Sequence, residues 1–371
     1  MSQTIKNISV TYDAINPSNT FTNGDILHGR VTVELAKDAK IDTLFIKFKG
    51  KANVRWSERH GKTTVVYHDK EKYFKSEQFF IREQKDNGKF YDFGAVLLKN
   101  EAGQPYCDVV APGTHVYPFT FQLPQQNLPA SFKGAWGYVS YFLEVKLSRS
   151  MRLSSKATAE IRYIPKPDMT IPNLMTPQYG TKEKGMKVFT SGNVSFTIHT
   201  ERMGYYLGEG IKVVAEVQNN SSRALKPKYC LYAKHSFFAR HKRRLRTNEI
   251  IKEEGEPIAP STNQTITKVL TMPASLDLSI LNCRILKVEY RLKFYLDVPY
   301  ASDPEIKFPI VILPLTPAIQ QAAPSASAIG FDGYWNPGEA GWNSTPYTAP
   351  PPPAYESYAL YPPLPNYPGK S

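Results

Sequence analysis

Apolar and polar residues alternate along most of this chain, and that period of two restricts its fold more than any other feature. It recurs in Ile8, Val10 and Tyr12; in Leu27, Val31, Val33 and Leu35; and in Leu44, Ile46 and Phe48. It returns in Phe119, Phe121 and Leu123, and in Val139, Tyr141, Leu143 and Val145. A strand sends successive side chains to opposite faces, so each run predicts a strand with one apolar face. No segment has the 3.6-residue period of a long amphipathic helix. An apolar sheet face must be covered by a second layer, and short strands separated by Gly, Pro and Asn clusters predict β-sandwiches. The expected class is all-β.

The runs also repeat, which points to two related sandwiches in tandem. Phe119-Thr120-Phe121-Gln122-Leu123-Pro124 corresponds to Lys268-Val269-Leu270-Thr271-Met272-Pro273, and Val139–Val145 to Val288–Phe294, both at an offset of 149 residues. Phe21-Thr22-Asn23-Gly24-Asp25-Ile26-Leu27 corresponds to Tyr205-Tyr206-Leu207-Gly208-Glu209-Gly210-Ile211 at an offset of 184. In both, an aromatic leads to a Gly-acid turn and then a strand. The difference between the offsets implies about thirty-five extra residues in the middle of the first half.

Proline sets the boundaries. Ile164-Pro165-Lys166-Pro167-Asp168, with Pro172 and Pro177, forbids a helix and disfavours a central strand. Of thirty prolines, thirteen lie from Pro314 onward among Gly, Ser, Ala and aromatics, a composition that cannot bury a core. The expected organisation is a sandwich over 1–164, a linker over 165–177, a second sandwich over 178–313 and a disordered tail over 314–371. A chain of 371 residues with 41% hydrophobic and 12% aromatic content has enough material for two cores. The first residues lack the apolar run of a signal peptide, and the longest apolar stretch, Phe308–Pro314, is strand-sized. A soluble, cytosolic protein is expected, with any membrane association peripheral. Cys107, Cys230 and Cys283 are far apart and form no CxxC pair, which suits a reducing compartment.

The tail carries a recognisable ligand. Pro352-Pro353-Ala354-Tyr355 fits the PPxY pattern bound by WW domains, and Leu364-Pro365-Asn366-Tyr367 is a relaxed LPxY version twelve residues on. Consecutive prolines hold the polyproline II conformation, so little entropy is lost on docking into an aromatic groove. The plainer reading is a solubilising tail, but the motif follows four consecutive prolines on an accessible segment. The expected WW-binding residues are Pro352, Pro353 and Tyr355, then Leu364, Pro365 and Tyr367.

Net charge is +13, and the tail from Leu315 holds only Asp332, Glu339, Glu356 and Lys370, so the basic excess lies in the folded part. Its densest run is Arg240-His241-Lys242-Arg243-Arg244-Leu245-Arg246, followed by Glu249, Glu253, Glu254 and Glu256. One reading is a hairpin whose basic and acidic arms neutralise each other. The other makes Arg240, Lys242, Arg243, Arg244 and Arg246 a site for anionic phospholipid or phosphorylated cargo. Nucleic acid is not expected, because no groove-reading or stacking module accompanies the charge. Nor is catalysis: the seven histidines show no HExxH spacing, and there is no GxSxG elbow, Walker loop or metal-ligand cluster. No cofactor is expected. Cys230 reads as a buried, inert thiol, His115 as structural, and Asp25 and Glu209 as turn residues.

The stretch Gly113-Thr114-His115-Val116-Tyr117-Pro118-Phe119-Thr120-Phe121-Gln122-Leu123-Pro124 resembles the amino-terminal pattern of arrestins, G-x-H-x-[FY]-P-F-x-F-x-L-P. Leu128-Pro129-Ala130-Ser131-Phe132 and Gly137-Tyr138-Val139-Ser140-Tyr141 extend it. With the tandem sandwich and the PPxY tail, the chain is similar to the arrestin domain-containing proteins, the α-arrestins, over about residues 5–313 plus the tail. The resemblance implies a non-enzymatic adaptor that recruits WW-domain HECT-type ubiquitin ligases to membrane receptors or transporters. Cargo ubiquitination, endocytosis and endosomal sorting at the plasma membrane and endosomes follow from that role. Leu364 departs from the strict second PPxY of many relatives, and Tyr347-Thr348-Ala349-Pro350 lacks the first proline of a P-[ST]-A-P peptide. Two other roles attach to related folds: a retromer-type sorting scaffold and a thioredoxin-binding regulator.

Overall fold

The computed structural model describes residues 4–82, 95–185, 192–298 and 302–315. Its first half contains β1 (Ile5–Tyr12), β2 (Thr20–Phe21), β3 (Ile26–Leu35), β4 (Ala39–Lys40), β5 (Thr43–His60) and β6 (Thr63–Arg82). It continues with β7 (Ala95–Leu97), β8 (Val109–Val110), β9 (Gly113–Gln122), β10 (Phe132–Lys133), β11 (Gly137–Ser148) and β12 (Ser155–Tyr163). The second half contains β13 (Gln178–Gly185), β14 (Gly192–Thr200), β15 (Gly204–Tyr206), β16 (Gly210–Ser221) and β17 (Lys226–Ala239). It ends with β18 (Lys242–Glu254), β19 (Thr262–Thr271), β20 (Leu286–Asp297) and β21 (Glu305–Leu313). The described residues form strands, turns and loops and no helix.

Each half is two sheets face to face. In the first, a sheet ordered β1-β3-β9 covers one ordered β2-β12-β11-β5-β6-β7, with β10 paired to β11. In the second, β13-β14-β16-β19 covers β15-β21-β20-β17-β18. Rings from facing sheets meet in both cores: Phe48 lies 5.7 Å from Phe121, and Phe196 lies 5.1 Å from Phe294. The sequence alternation becomes alternating burial. Tyr117, Phe119, Phe121 and Leu123 point inward, as do Tyr141, Leu143 and Val145. At Gly29 the strands on either side leave no room for a side chain: a Cβ there would sit 2.4 Å from the Thr11 carbonyl oxygen of β1 and 2.5 Å from the Phe119 ring of β9.

The repeat extends to register. Leu27 pairs with Phe121 and Ile211 with Leu270, so the two offsets read from sequence describe one strand pair in each half. Phe21 pairs in parallel with Tyr163, and Tyr205 with Ile312. The Gly-acid turns match as well. Asp25 accepts the Thr22 amide at 2.7 Å and Glu209 the Tyr206 amide at 2.8 Å, while Gly24 and Gly208 take φ of 81° and 85°. The additional length of the first half falls between β5 and β9, in longer hairpin arms and in β7 and β8. Residues 164–177 contain no strand. Their backbone is tied down: Leu174 is buried with Val311 and Leu313, and its carbonyl accepts the amides of Met203 and Gly204.

Candidate functional site

The basic run forms the tip and first arm of the β17–β18 hairpin. Ala239 pairs with Lys242, leaving Arg240 and His241 as a two-residue turn with φ of 49° and 62°. Both residues are left-handed, which a tight hairpin requires and which non-glycine residues adopt at a cost. β18 is the edge of its sheet. Arg240, Lys242, Arg243 and Arg246 are exposed and Arg244 is half-buried.

The arms are not arranged as a basic strand beside an acidic one. Lys242, Arg243, Arg244 and Arg246 face Ala239, Phe238, Phe237 and His235 of β17. The glutamates lie further along β18 and are engaged by lysines instead. Glu254 meets Lys226 at 3.0 Å and Lys228 at 3.1 Å, Glu253 meets Lys268 at 2.7 Å, and Glu249 meets Lys252 at 4.0 Å. Lys226 and Lys228 hold the Glu254 carboxyl below the usual carboxylate range. Asp297, then Glu254, raise the Lys228 ammonium above its ordinary value. Among the described residues, no carboxylate pairs with the five cations of the cluster. The separation by strand position keeps the basic field at the tip instead of cancelling it.

The cluster's other contacts are hydrogen bonds and rings. Arg243 donates from Nε at 3.2 Å and Nη2 at 2.8 Å to the Ser236 hydroxyl, and Arg246 Nε donates to Asn248 Oδ1 at 3.0 Å. Arg244 crosses to the first half: its guanidinium lies 4.1 Å from the Trp136 ring centroid, and Nη1 donates to the Ser57 carbonyl at 3.5 Å. A cation over an indole face is attracted by the ring quadrupole, so Arg244 is held in place and serves the site less as free charge. Beneath it, Trp136 packs edge-on to Phe237 at 5.7 Å and Phe132 to His235 at 5.3 Å. Burial, reinforced by Arg246, depresses the His235 pKa, while Asp277 opposes the shift. This seam of aromatics couples the hairpin to the first sandwich, and sequence spacing gave no sign of it.

The remaining candidates are placed as follows. Pro352, Pro353, Tyr355, Leu364, Pro365 and Tyr367 lie outside the described residues, as does nearly all of the tail expected to be disordered. Cys230 is buried and burial pushes its thiol pKa up, as expected of an inert side chain. Cys283 is buried at the seam near Glu71 and its pKa is likewise raised by burial, whereas Cys107 is exposed. His115 hydrogen-bonds the Ala111 carbonyl at 2.8 Å from within β9. Among the described residues no group of three or more His, Cys, Asp or Glu is placed to hold a metal. No helix among them is long and apolar enough to cross a membrane.

Comparison with known proteins agrees with this architecture. Residues 8–170 match "Arrestin (or S-antigen), N-terminal domain" and residues 190–317 match "Arrestin (or S-antigen), C-terminal domain", together most of the chain. Arrestin domain-containing protein 4 of Mus musculus is 28% identical over 320 residues, covering 85% of this chain and 74% of that protein. The human protein of that name is 28% identical over 325 residues, with 85% and 73% covered. Thioredoxin-interacting protein of Rattus norvegicus is 27% identical over 317 residues, with 84% and 75% covered. With two arrestin domains in tandem and relatives of this kind, the chain belongs to the arrestin family, in its arrestin domain-containing (α-arrestin) branch.

Proposed function

We propose that this protein is a non-enzymatic adaptor in which the arrestin domains engage membrane receptors or transporters and the tail recruits WW-domain HECT-type ubiquitin ligases. It acts at the cytoplasmic face of the plasma membrane and endosomes, promoting ubiquitination, endocytosis and sorting of its cargo. The observation carrying this reading is Pro352-Pro353-Ala354-Tyr355, a strict PPxY peptide placed behind two arrestin domains. The test is titration of the full chain with one WW domain and then with a tandem pair. Tyr355→Ala removes most single-domain binding. Tyr367→Ala leaves it nearly intact but weakens tandem capture, because linked weak sites gain about 10²–10⁴ in avidity. Unchanged affinity for both probes in Tyr355→Ala overturns the ligase-adaptor reading.

A second role for the β17–β18 tip is supported by its unneutralised charge: it receives phosphate groups, whether phosphoinositide headgroups or phosphorylated cargo. Reversing Lys242, Arg243 and Arg246 to Glu abolishes binding to phosphoinositide vesicles, and wild-type binding weakens steeply with salt. Wild-type protein that ignores such vesicles at low salt overturns the lipid form of this reading. A thioredoxin-binding role, suggested by the name of one set of relatives, has less support. Cys230 and Cys283 are buried with raised pKa values, which leaves Cys107 as the exposed thiol.

A further inference from the structure

The most exposed large apolar side chains of the described residues are Met151 and Leu153, at 98% and 96%, on the loop joining β11 to β12. The next most exposed, Tyr179, reaches 69%. The loop is built rather than slack. Leu147 and Ser155 close the strand ladder, the hydroxyls of Ser148 and Ser154 meet at 3.0 Å, and the Arg152 amide donates to the Arg149 carbonyl at 3.3 Å. Met151 takes the left-handed conformation, φ 56°, which an L-residue with a Cβ disfavours. Water gives no reason to hold two apolar side chains outward at such a position.

The charged residues of the loop and of the strand ends that carry it are of one sign. Lys146-Leu147-Ser148-Arg149-Ser150-Met151-Arg152-Leu153-Ser154-Ser155-Lys156 contains four cations and no carboxylate. Lys146 and Lys156 stand directly opposite each other in the ladder, a like-charge pair that destabilises a sheet in isolation. Among the described residues none of the four cations forms an ion pair. Two acidic residues flank the loop: Asp42, whose amide donates to the Ser148 carbonyl at 3.0 Å, and Glu144, which Lys49 engages at 2.8 Å. Burial works to raise the Glu144 pKa, but Lys49, Lys47 and Lys156 outweigh it and hold the carboxyl below the usual carboxylate range. An apolar tip within a cationic collar complements one kind of surface: a bilayer with anionic headgroups over hydrocarbon.

We infer that the β11–β12 tip is a membrane-contact site, in which Met151 and Leu153 enter the headgroup–acyl boundary of an anionic bilayer while Arg149, Arg152, Lys146 and Lys156 meet its lipid phosphates. The site is separate from the basic hairpin. β11 begins beside Trp136, which carries Arg244, and runs twelve residues to Ser148, a span of about 35–40 Å. The inference does not rest on ligase recruitment, whose readout is a soluble WW domain.

The test uses the full chain and vesicles of phosphatidylcholine with and without phosphatidylserine. Wild-type protein binds the phosphatidylserine vesicles. Met151→Ser/Leu153→Ser, at positions whose side chains carry no packing, keeps wild-type thermal unfolding but binds at least about tenfold more weakly. Arg152→Ala costs about fivefold. In a Cys107→Ser background, Met151→Cys labelled with a polarity-sensitive fluorophore shifts its emission to the blue on vesicle addition. Vesicle affinity of the double-serine variant within about twofold of wild type, or a label that stays in water while the protein binds, overturns the inference. Loss of binding on reversal of the β17–β18 tip alone, with the double-serine variant unaffected, also overturns it and leaves the hairpin as the lipid contact.

Discussion

Tyr141 and Tyr290 occupy equivalent positions in the two sandwiches, 149 residues apart, and their hydroxyls do equivalent work. Tyr141 donates to the Pro129 carbonyl at 2.6 Å and Tyr290 to the Asp277 carbonyl at 2.7 Å. Each bond ties the inner strand of a sheet to the loop that enters it, and burial raises both tyrosine pKa values. Removing the hydroxyl leaves a carbonyl without its partner, in a buried site for Tyr141 and a partly buried one for Tyr290, at about 1–3 kcal/mol. Tyr141→Phe and Tyr290→Phe each lower stability by that amount. The two hydroxyls lie in different sandwiches and share no hydrogen-bond partner, so the double variant gives close to the sum in urea unfolding. A shortfall well beyond error would mean the halves do not act independently.

At the scale of the element, the β17–β18 hairpin carries a conflict between local structure and charge. Arg240 and His241 occupy a turn that favours Asn-Gly, because both residues need positive φ. Replacing them with Asn and Gly relieves backbone strain of about 1–2 kcal/mol. Arg240→Asn/His241→Gly therefore raises the unfolding midpoint while weakening capture of phosphate-bearing vesicles. A turn kept for stability alone would show the gain with no change in capture. The β11–β12 loop repeats the pattern, with Met151 held left-handed at an apolar tip.

For the whole molecule, the seam between the sandwiches contributes a pH response of its own. It joins Asn282 to the Asn127 carbonyl at 2.8 Å, the Arg284 amide to Glu71 at 2.8 Å, and His235 to the Phe132 ring. Burial holds folded His235 below its unfolded value of about 6.5, so protonation favours the unfolded chain. Its contribution is complete above about pH 6.5 and is lost as pH falls through the folded value. Asp277, raised by burial, acts in the opposite direction: stability from its neutral form is present below its unfolded value and lost as pH rises through the folded one. Comparison with His235→Phe isolates the histidine. Between about pH 7 and pH 5 the wild type loses more stability than the variant, and parallel profiles would remove His235 from the account.

Period-two alternation and the offset of 149 residues were enough, without coordinates, to determine an all-β chain of two related sandwiches and to say which faces of β9, β11 and β20 are buried. They are local properties, since a strand's pleat assigns each residue a side regardless of which strand lies next to it. The PPxY pattern can be read from the sequence for the same reason, and the function proposed for it, as a polyproline II ligand, needs no tertiary neighbour. What alternation does not encode is strand order and register. A count of charges along Arg240–Glu256 allowed mutual neutralisation. The ladder decided otherwise, setting the arginines opposite Phe237, Phe238 and His235 and giving the glutamates to Lys226, Lys228 and Lys268. The contact of Arg244 with Trp136 likewise depends on residues far apart in sequence. Such contacts form only when whole sheets assemble, and tertiary structure alone assigns them.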